Sequence, residues 1–316
     1  MRRLDRVLAV VDPTVETQAG VAKAARLARA SGAVLELLVC DYDPALDGWP
    51  VAQTAAVRAL REELLDERGE MLETLADELR AGGLTVETHV RWGNPLYRTL
   101  LRRVEESEPD LVVKDTHYHS LVRRTLFTNT DWNLIRACPA PLLLARAGDW
   151  SATPRLLAAV DPGHLADKPA VLDHDLLDFA DLLARALEGE LHALHAFFPA
   201  ALLALTTGLG GLPLGGDTSV EEIVATERRR IEGGVRQLAS AHGVPPDRVH
   251  LVQGSAAEVL PQAAADLRAD VVVMGAVARS RLEELFVGST AEQVLDRLPA
   301  DVLVVKPPQF AQQVPG

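Results

Sequence analysis

Aromatic side chains are scarce in this chain, at 4% of 316 residues. Aliphatic residues and alanine must therefore fill the interior, because 48% of the sequence is hydrophobic and 24% charged, a globular balance. Cysteine is nearly absent. Cys40 lies in an apolar strand pattern and Cys138 precedes a proline-rich strand entry, so both are expected as small core residues, not as a disulfide or metal pair. No run of about twenty apolar residues occurs, which argues against a spanning helix. The N-terminal MRRLDRVLAVVDP carries paired arginines, but its apolar run is short and broken by Asp5 and Asp12, unlike a signal peptide. A cytoplasmic protein is expected. Positive charge is also in deficit: the net charge is −13. A nucleic-acid backbone would be repelled, so nucleic acid is not an expected partner. Catalytic signatures are missing as well. There is no Ser-His-Asp order, no lysine-bearing Walker loop and no G-x-S-x-G elbow. The expectation is a protein that is not an enzyme, with slow ATP hydrolysis left open.

What is present is one unit written twice. Arg6 to Pro13 is RVLAVVDP and Arg155 to Pro162 is RLLAAVDP. In each, an apolar strand ends in aspartate and proline. An aspartate there stands at the mouth of an α/β sheet, where ligands bind, although Asp12 is equally well explained as a strand-terminating turn residue. A helix follows each strand, over Thr17 to Ala30 with Val21, Ala24, Ala25, Leu27 and Ala28 inward, and over Val171 to Leu187, stopped by Gly189. Second strands are expected at Ala33 to Cys40 and Glu190 to Phe197. A long helix is expected over Val51 to Leu79, with Ala55, Leu60, Leu64, Leu72, Leu75 and Leu79 as its apolar stripe. Its counterpart is Ser219 to His242, after an apolar, glycine-rich insertion at 197–216. Third strands fall at Leu84 to Arg91 and Arg248 to Val252, fourth at Leu111 to Lys114 and Val271 to Met274, fifth at Leu142 to Ala145 and Val302 to Val305. Alternation on this scale argues an α/β fold of two tandem doubly wound domains, each with a five-stranded parallel sheet of order 3-2-1-4-5. The first domain is expected over 1–147 and the second over 154–308, with 309–316 a tail.

The stretch Val271 to Leu298 carries the clearest ligand grammar. A short strand ends in Gly275, a loop follows with Arg279 and Arg281, and Gly288 opens a helix at Ser289 and Thr290. Glycines let backbone N–H groups approach an anion, and a helix start aims unpaired N–H groups at the same point. Ser289 to Glu292 also spells a capping box. Glycine and serine are ordinary helix-entry chemistry too, so spacing alone leaves phosphate binding and plain capping both open.

The stretch resembles the C-terminal motif of the universal stress protein family, G-x-x-G, nine residues, then G-[ST]. Here Gly275, Gly288 and Ser289 match, while Ala278 replaces the second glycine and puts a Cβ where backbone would meet a triphosphate. Across the halves, Gly275 aligns with Asp115, Ala278 with Tyr118, Gly288 with Thr128 and Ser289 with Asn129. The first half is therefore expected to hold no triphosphate in the family manner, its helix capped by Asn129 or Thr130. Its own signature, Lys114 to His119 and Phe127 to Trp132, resembles the E-type tandem members of the family. The resemblance spans nearly the whole chain. It implies a nucleotide-binding stress-response module with ATP or a related nucleotide in the second half and Mg2+ as companion ion. Asp161 and Ala196 would lie by base and ribose, and Gly275, Ala278, Gly288, Ser289 and Thr290 by the phosphates, with Arg279 or Arg281 adding charge. It also implies an internal pseudo-dimer joined through the fifth strands, Leu142 to Ala145 against Val302 to Val305, with a homodimer left open.

Two other readings stand beside this one. The insertion at 197–216 and Ala278 suit a hydrophobic or lipid-like ligand in the second half. The lost glycines of the first half suit a ligand-free signalling scaffold. His117 and His119 beside Asp115 lack a third histidine or cysteine at ligand spacing, so no metal is expected there. His192 and His195 are read as structural, His195 close to the ligand mouth.

Overall fold

The structure, a computed structural model, describes residues 3–46, 54–116, 128–162, 171–197, 220–276 and 294–307. The first half contains β1 (Arg6–Val10), α1 (Ala19–Ser31), β2 (Val34–Asp41), α2 (Ala55–Ala81), β3 (Val86–Trp92), α3 (Leu96–Ser107), β4 (Leu111–Asp115), α4 (Asn129–Ala137) and β5 (Leu142–Ala145). The second contains β6 (Arg155–Ala159), α5 (Val171–Ala186), β7 (Glu190–Phe197), α6 (Val220–Ala241), β8 (Val249–Gln253), α7 (Ala256–Asp266), β9 (Val271–Gly275) and β10 (Asp301–Val305). The ten strands of the described residues form one sheet, ordered β3-β2-β1-β4-β5-β10-β9-β6-β7-β8. Within each half the pairing is parallel and follows the expected 3-2-1-4-5 order.

The seam between the halves is antiparallel, with Val302 opposite Leu144, Leu303 opposite Leu143 and Val304 opposite Leu142. All of these residues are buried. Alternation along each strand divides the core in two. One layer, under α1, α2, α5 and α6, takes Val7, Ala9, Leu143 and Leu303. The other, under α3, α4 and α7, takes Leu8, Leu142, Val302 and Val304. Both layers run through both halves, so hydrophobic burial and main-chain bonding join the halves together.

A buried ion pair locks the seam. Lys23 of α1 places Nζ 2.7 Å from Asp301 Oδ2 at the start of β10, with side chains 5% and 3% exposed. Asp301 also accepts the Trp150 indole N–H at 2.7 Å and the Arg146 backbone N–H at 2.8 Å. Lys23 donates in addition to the Arg146 carbonyl at 2.7 Å. Burial pushes the Asp301 carboxyl above its usual value, against the pull of Lys23 and the two N–H donors. The segment between the halves is thus docked through Trp150 and through Ser151, whose N–H and hydroxyl both reach Asp270 at 2.8 Å. Gly189 follows from the same close packing, since a Cβ there would run into the Pro154 carbonyl oxygen. Lys306, past the end of β10, crosses to the first half and donates to the Cys138 carbonyl at 2.6 Å and the Leu134 carbonyl at 3.3 Å. A cation suits the last carbonyls of α4, though burial lowers its pKa to about 8.

Helix α2 departs from expectation. The periodicity predicts an apolar stripe from Ala55 to Leu79, yet only Leu72 and Ala76 are buried and Leu60 is exposed. A 27-residue helix is ~40 Å long, whereas the 7-residue β3 covers ~23 Å. The first turns of α2 therefore have little sheet beneath them.

At equivalent places on β2 and β7 the halves carry different polar groups. In the first, buried Glu36 meets Arg6 and Arg103, and Arg103 Nη2 lies 2.9 Å from His89 Nε2. In the second, His192 Nδ1 lies 3.1 Å from His250 Nε2, the rings stacked at 5.3 Å. Burial pushes both His192 and His250 below the usual histidine pKa, and the charges of His250 and Arg248 add to the effect on His192.

Two outcomes follow from these contacts. Replacing Lys23→Met leaves the Asp301 carboxylate buried without its cation and should cost about 3 kcal/mol in urea unfolding, most of it recovered by adding Asp301→Asn. His192 and His250 are held neutral in the fold, while the unfolded chain takes up protons near pH 6.5. The unfolded state then binds more protons, so this stability is present above about pH 6.5 and lost as pH falls below it. Urea midpoints should decline from pH 7.5 to pH 5, and the decline should shrink in the His192→Gln, His250→Gln double variant.

Candidate functional site

Both halves present the carboxyl ends of their strands at the place where strand order reverses, the usual ligand position in a doubly wound sheet. In the first half this edge bounds a cavity of about 300 Å³, walled by Val10, Leu96 and Leu100 with Asp12, Lys114 and Asp115 among its polar groups. Asp12 forms a turn: its Oδ1 accepts the Thr14 N–H at 2.9 Å and the Thr14 hydroxyl at 2.6 Å. Asp115, at the end of β4, accepts the Gly20 N–H of the first turn of α1 at 2.7 Å. Asp131 sits in the first turn of α4, fully buried, and forms a capping box with Thr128. Lys114 Nζ lies 2.9 Å from Asp131 Oδ1.

This half has therefore placed its own carboxylates at the starts of α1 and α4, where N–H groups and helix dipoles would otherwise attract an anion. The cap is Thr128 with Asp131, not Asn129 or Thr130 as expected. The third helical residue is an acid that can return the bond to the cap, and this fixes the helix start one residue earlier. Cys40 also lines the cavity, but burial pushes its thiol up to about 12, which keeps it protonated and unreactive.

In the second half the corresponding edge holds Asp161 after β6, Ala196 on β7 and Gly275 at the end of β9, on three adjacent strands. Asp161 donates its N–H to Asp173 Oδ1 of α5 at 3.2 Å, and its side chain is 39% exposed. His195 Nδ1 lies 2.9 Å from the Val160 carbonyl. A carbonyl only accepts, so Nδ1 carries the proton. The same nitrogen is 3.7 Å from Asp161 Oδ1. His195 thus stands at the mouth as expected. Gly275 occupies the β9 position equivalent to Asp115 on β4: each pairs with the last residue of the neighbouring fifth strand, Val305 and Ala145. A Cβ on Gly275 would meet Leu172 Cδ2 at 2.8 Å. Bare backbone here lets the first turn of α5 close down on the strand. Ala278, Arg279, Arg281, Gly288, Ser289 and Thr290 lie outside the described residues, as do His117, His119 and all of the 197–216 insertion except Phe197, which ends β7.

The family model described as "Universal stress protein family" matches residues 3–146 and again 155–306. The chain belongs to the universal stress protein family. It is similar to Universal stress protein E of Escherichia coli strain K12, 26% identical over 315 residues, covering 99% of this chain and 98% of that one. It is likewise similar to the Universal stress protein E homolog of Haemophilus influenzae, 26% identical over 310 residues, with 96% of this chain and 98% of the other covered. Among solved structures, a functionally unknown protein of Pseudomonas aeruginosa PAO1 aligns with TM-score 0.73 and 26% identity over 98% of this chain and 95% of its own. A universal stress protein from Archaeoglobus fulgidus DSM 4304 shares the fold at TM-score 0.66 and 17% identity, over 95% and 98% of the two chains. Among the described residues of this universal stress protein, no helix is long and apolar enough to cross a membrane.

Sequence reasoning missed the polar groups that carry charge inside this tandem universal stress protein: Lys23, Lys114 with Asp131, Asp301 and Lys306. The signal was a lone lysine within the apolar run of α1 and an acid directly before the apolar run of β10. The pairing partners lie up to 278 residues apart and could not be assigned. Replacing Lys114→Met strips the cation from a fully buried carboxylate. It should lower stability by about 3 kcal/mol, measured by thermal or urea unfolding, whereas Lys114→Arg should keep most of it.

Proposed function

We propose that the protein is a stress-response binding module that holds an ATP-like nucleotide in its second half and does not turn it over rapidly. The observation that carries this reading is the difference between equivalent strand ends. The first half sets the carboxylate of Asp115 at a helix start, 2.7 Å from the Gly20 N–H. The second half has Gly275 at that position, packed against the apolar Leu172, so the strand end itself brings no carboxylate to compete with a phosphate. Asp161 supports the reading as well, as a carboxylate half-open to solvent and well placed to accept from ribose hydroxyls or an exocyclic amine. Ala196 on the next strand is small enough to leave room for a ring. The phosphates would lie by Gly288, Ser289 and Thr290, Arg279 would add charge, and Mg2+ would accompany them.

Titration calorimetry with ATP tests the proposal. One equivalent should bind, Asp161→Ala should weaken binding about tenfold by removing charge-assisted hydrogen bonds, and Ser289→Asp should abolish it by adding a carboxylate to the phosphate cradle. An absence of heat at millimolar ATP, or binding unchanged by both substitutions, would overturn it.

A further inference from the structure

On the outer face of the second half, α5 and the end of α6 bring three chemically compatible side chains together. His174 and Asp178 are one turn apart on α5 and so share a face. His242 follows directly on the last residue of α6. Its backbone is fixed by a tight helix end, where His242 N–H bonds to Ala239 O at 3.1 Å and Val244 N–H returns to the same carbonyl at 3.0 Å. The His242 side chain is 8% exposed, whereas Asp178 is 62% exposed.

The hydrogen bonds fix which nitrogen bears a proton. His242 Nδ1 lies 2.7 Å from Asp178 Oδ1. A carboxylate only accepts, so His242 Nδ1 is protonated, and whenever the ring is neutral Nε2 presents its lone pair. That lone pair is aimed at His174 Nδ1, 2.8 Å away. A carboxylate behind one imidazole, with the ring's far nitrogen facing a second imidazole, is the arrangement that orients histidine toward a metal. Two nitrogens on one tetrahedral zinc stand about 3.3 Å apart, given Zn–N bonds near 2.0–2.1 Å. A small opening of the present pair is enough. The rings, tilted at 48° with centroids 5.0 Å apart, are not stacked flat against each other and can part by rotation about their side-chain bonds.

We propose that His174 and His242 bind one divalent transition-metal ion of the zinc class, with Asp178 as the positioning residue and solvent completing the shell. On binding, the His174 proton moves from Nδ1 to Nε2, and the ion takes the place of the hydrogen bond between the rings. The chain's net charge of −13 favours a cation in general. Among the described residues, Glu36, Glu87 and His89 bring three possible ligand atoms within 4.8 Å of one another, but Arg6 and Arg103 already lie within hydrogen-bonding reach of them, which makes them a poorer candidate.

The test uses the full chain, stripped with chelator and titrated with ZnCl2 by calorimetry and with Co2+ by visible absorption. One equivalent should bind with micromolar affinity. His242→Gln and His174→Asn should each weaken it more than thirtyfold. Asp178→Asn should weaken it about tenfold without changing the stoichiometry, and Asp178→Glu should restore it, as expected for a residue acting through its histidine. The His117→Asn, His119→Asn double variant should bind as the parent does. His174 is exposed, so its variant keeps the test valid even where His242→Gln unfolds. No saturable binding below 1 mM Zn2+, or an affinity unchanged in His174→Asn, would overturn the proposal.

Discussion

The antiparallel pairing of β5 with β10 is the contact on which the molecule depends. Each half alone would end in an apolar strand with a bare row of main-chain groups, an invitation to pair with any other chain. Pairing the two edges satisfies those groups and gives the halves common core layers on both faces of the sheet. Hydrophobic strands could slide past one another at small cost. Asp301 opposes this, because its partners come from α1, the end of β5 and the connecting segment together. A slip of one residue would strand a buried carboxylate and turn Val302 and Val304 to the opposite face. The ion pair thus contributes register, while burial supplies most of the attraction.

Around this seam a duplicated unit has taken two electrostatic courses. Both halves keep the crevice at the reversal of strand order. The first fills its anion positions with Asp115 and Asp131 and neutralises the latter with Lys114. The second leaves the matching strand end as Gly275. The same divergence recurs along β2 and β7, where a carboxylate–arginine network in one half becomes a neutral histidine pair in the other. Backbone geometry was kept and charge was altered, which is the cheaper change when a fold is held by main-chain bonds and aliphatic packing.

Much of the fold was legible in the residues. Apolar runs bounded by glycine, proline and aspartate gave all ten strands to within about two residues, because a buried parallel strand needs a continuous hydrophobic stretch. The helix of α1 was readable from Val21, Ala24, Leu27 and Ala28. The exposure of Leu60 was not, because helical periodicity tells which residues share a face and not whether anything lies opposite it. At the candidate site, Asp161, Ala196 and Gly275 lie at one end of the sheet on three adjacent strands. The self-filling of the first crevice was only half visible. The alignment of Asp115 with Gly275 was legible, but the bond Asp115 makes to Gly20 spans 95 residues.

The sequence by itself determined the class of fold, the duplication and the end of each sheet at which a crevice opens, because these follow from local pattern and from the chirality of parallel connections. Tertiary structure alone decided which charges are buried and with whom. Lys23 with Asp301, Lys306 with the end of α4, and His242 with Asp178 and His174 are each made by segments remote in the chain. Their pairing rests on distance and desolvation in the folded protein, quantities that no local pattern of residues contains.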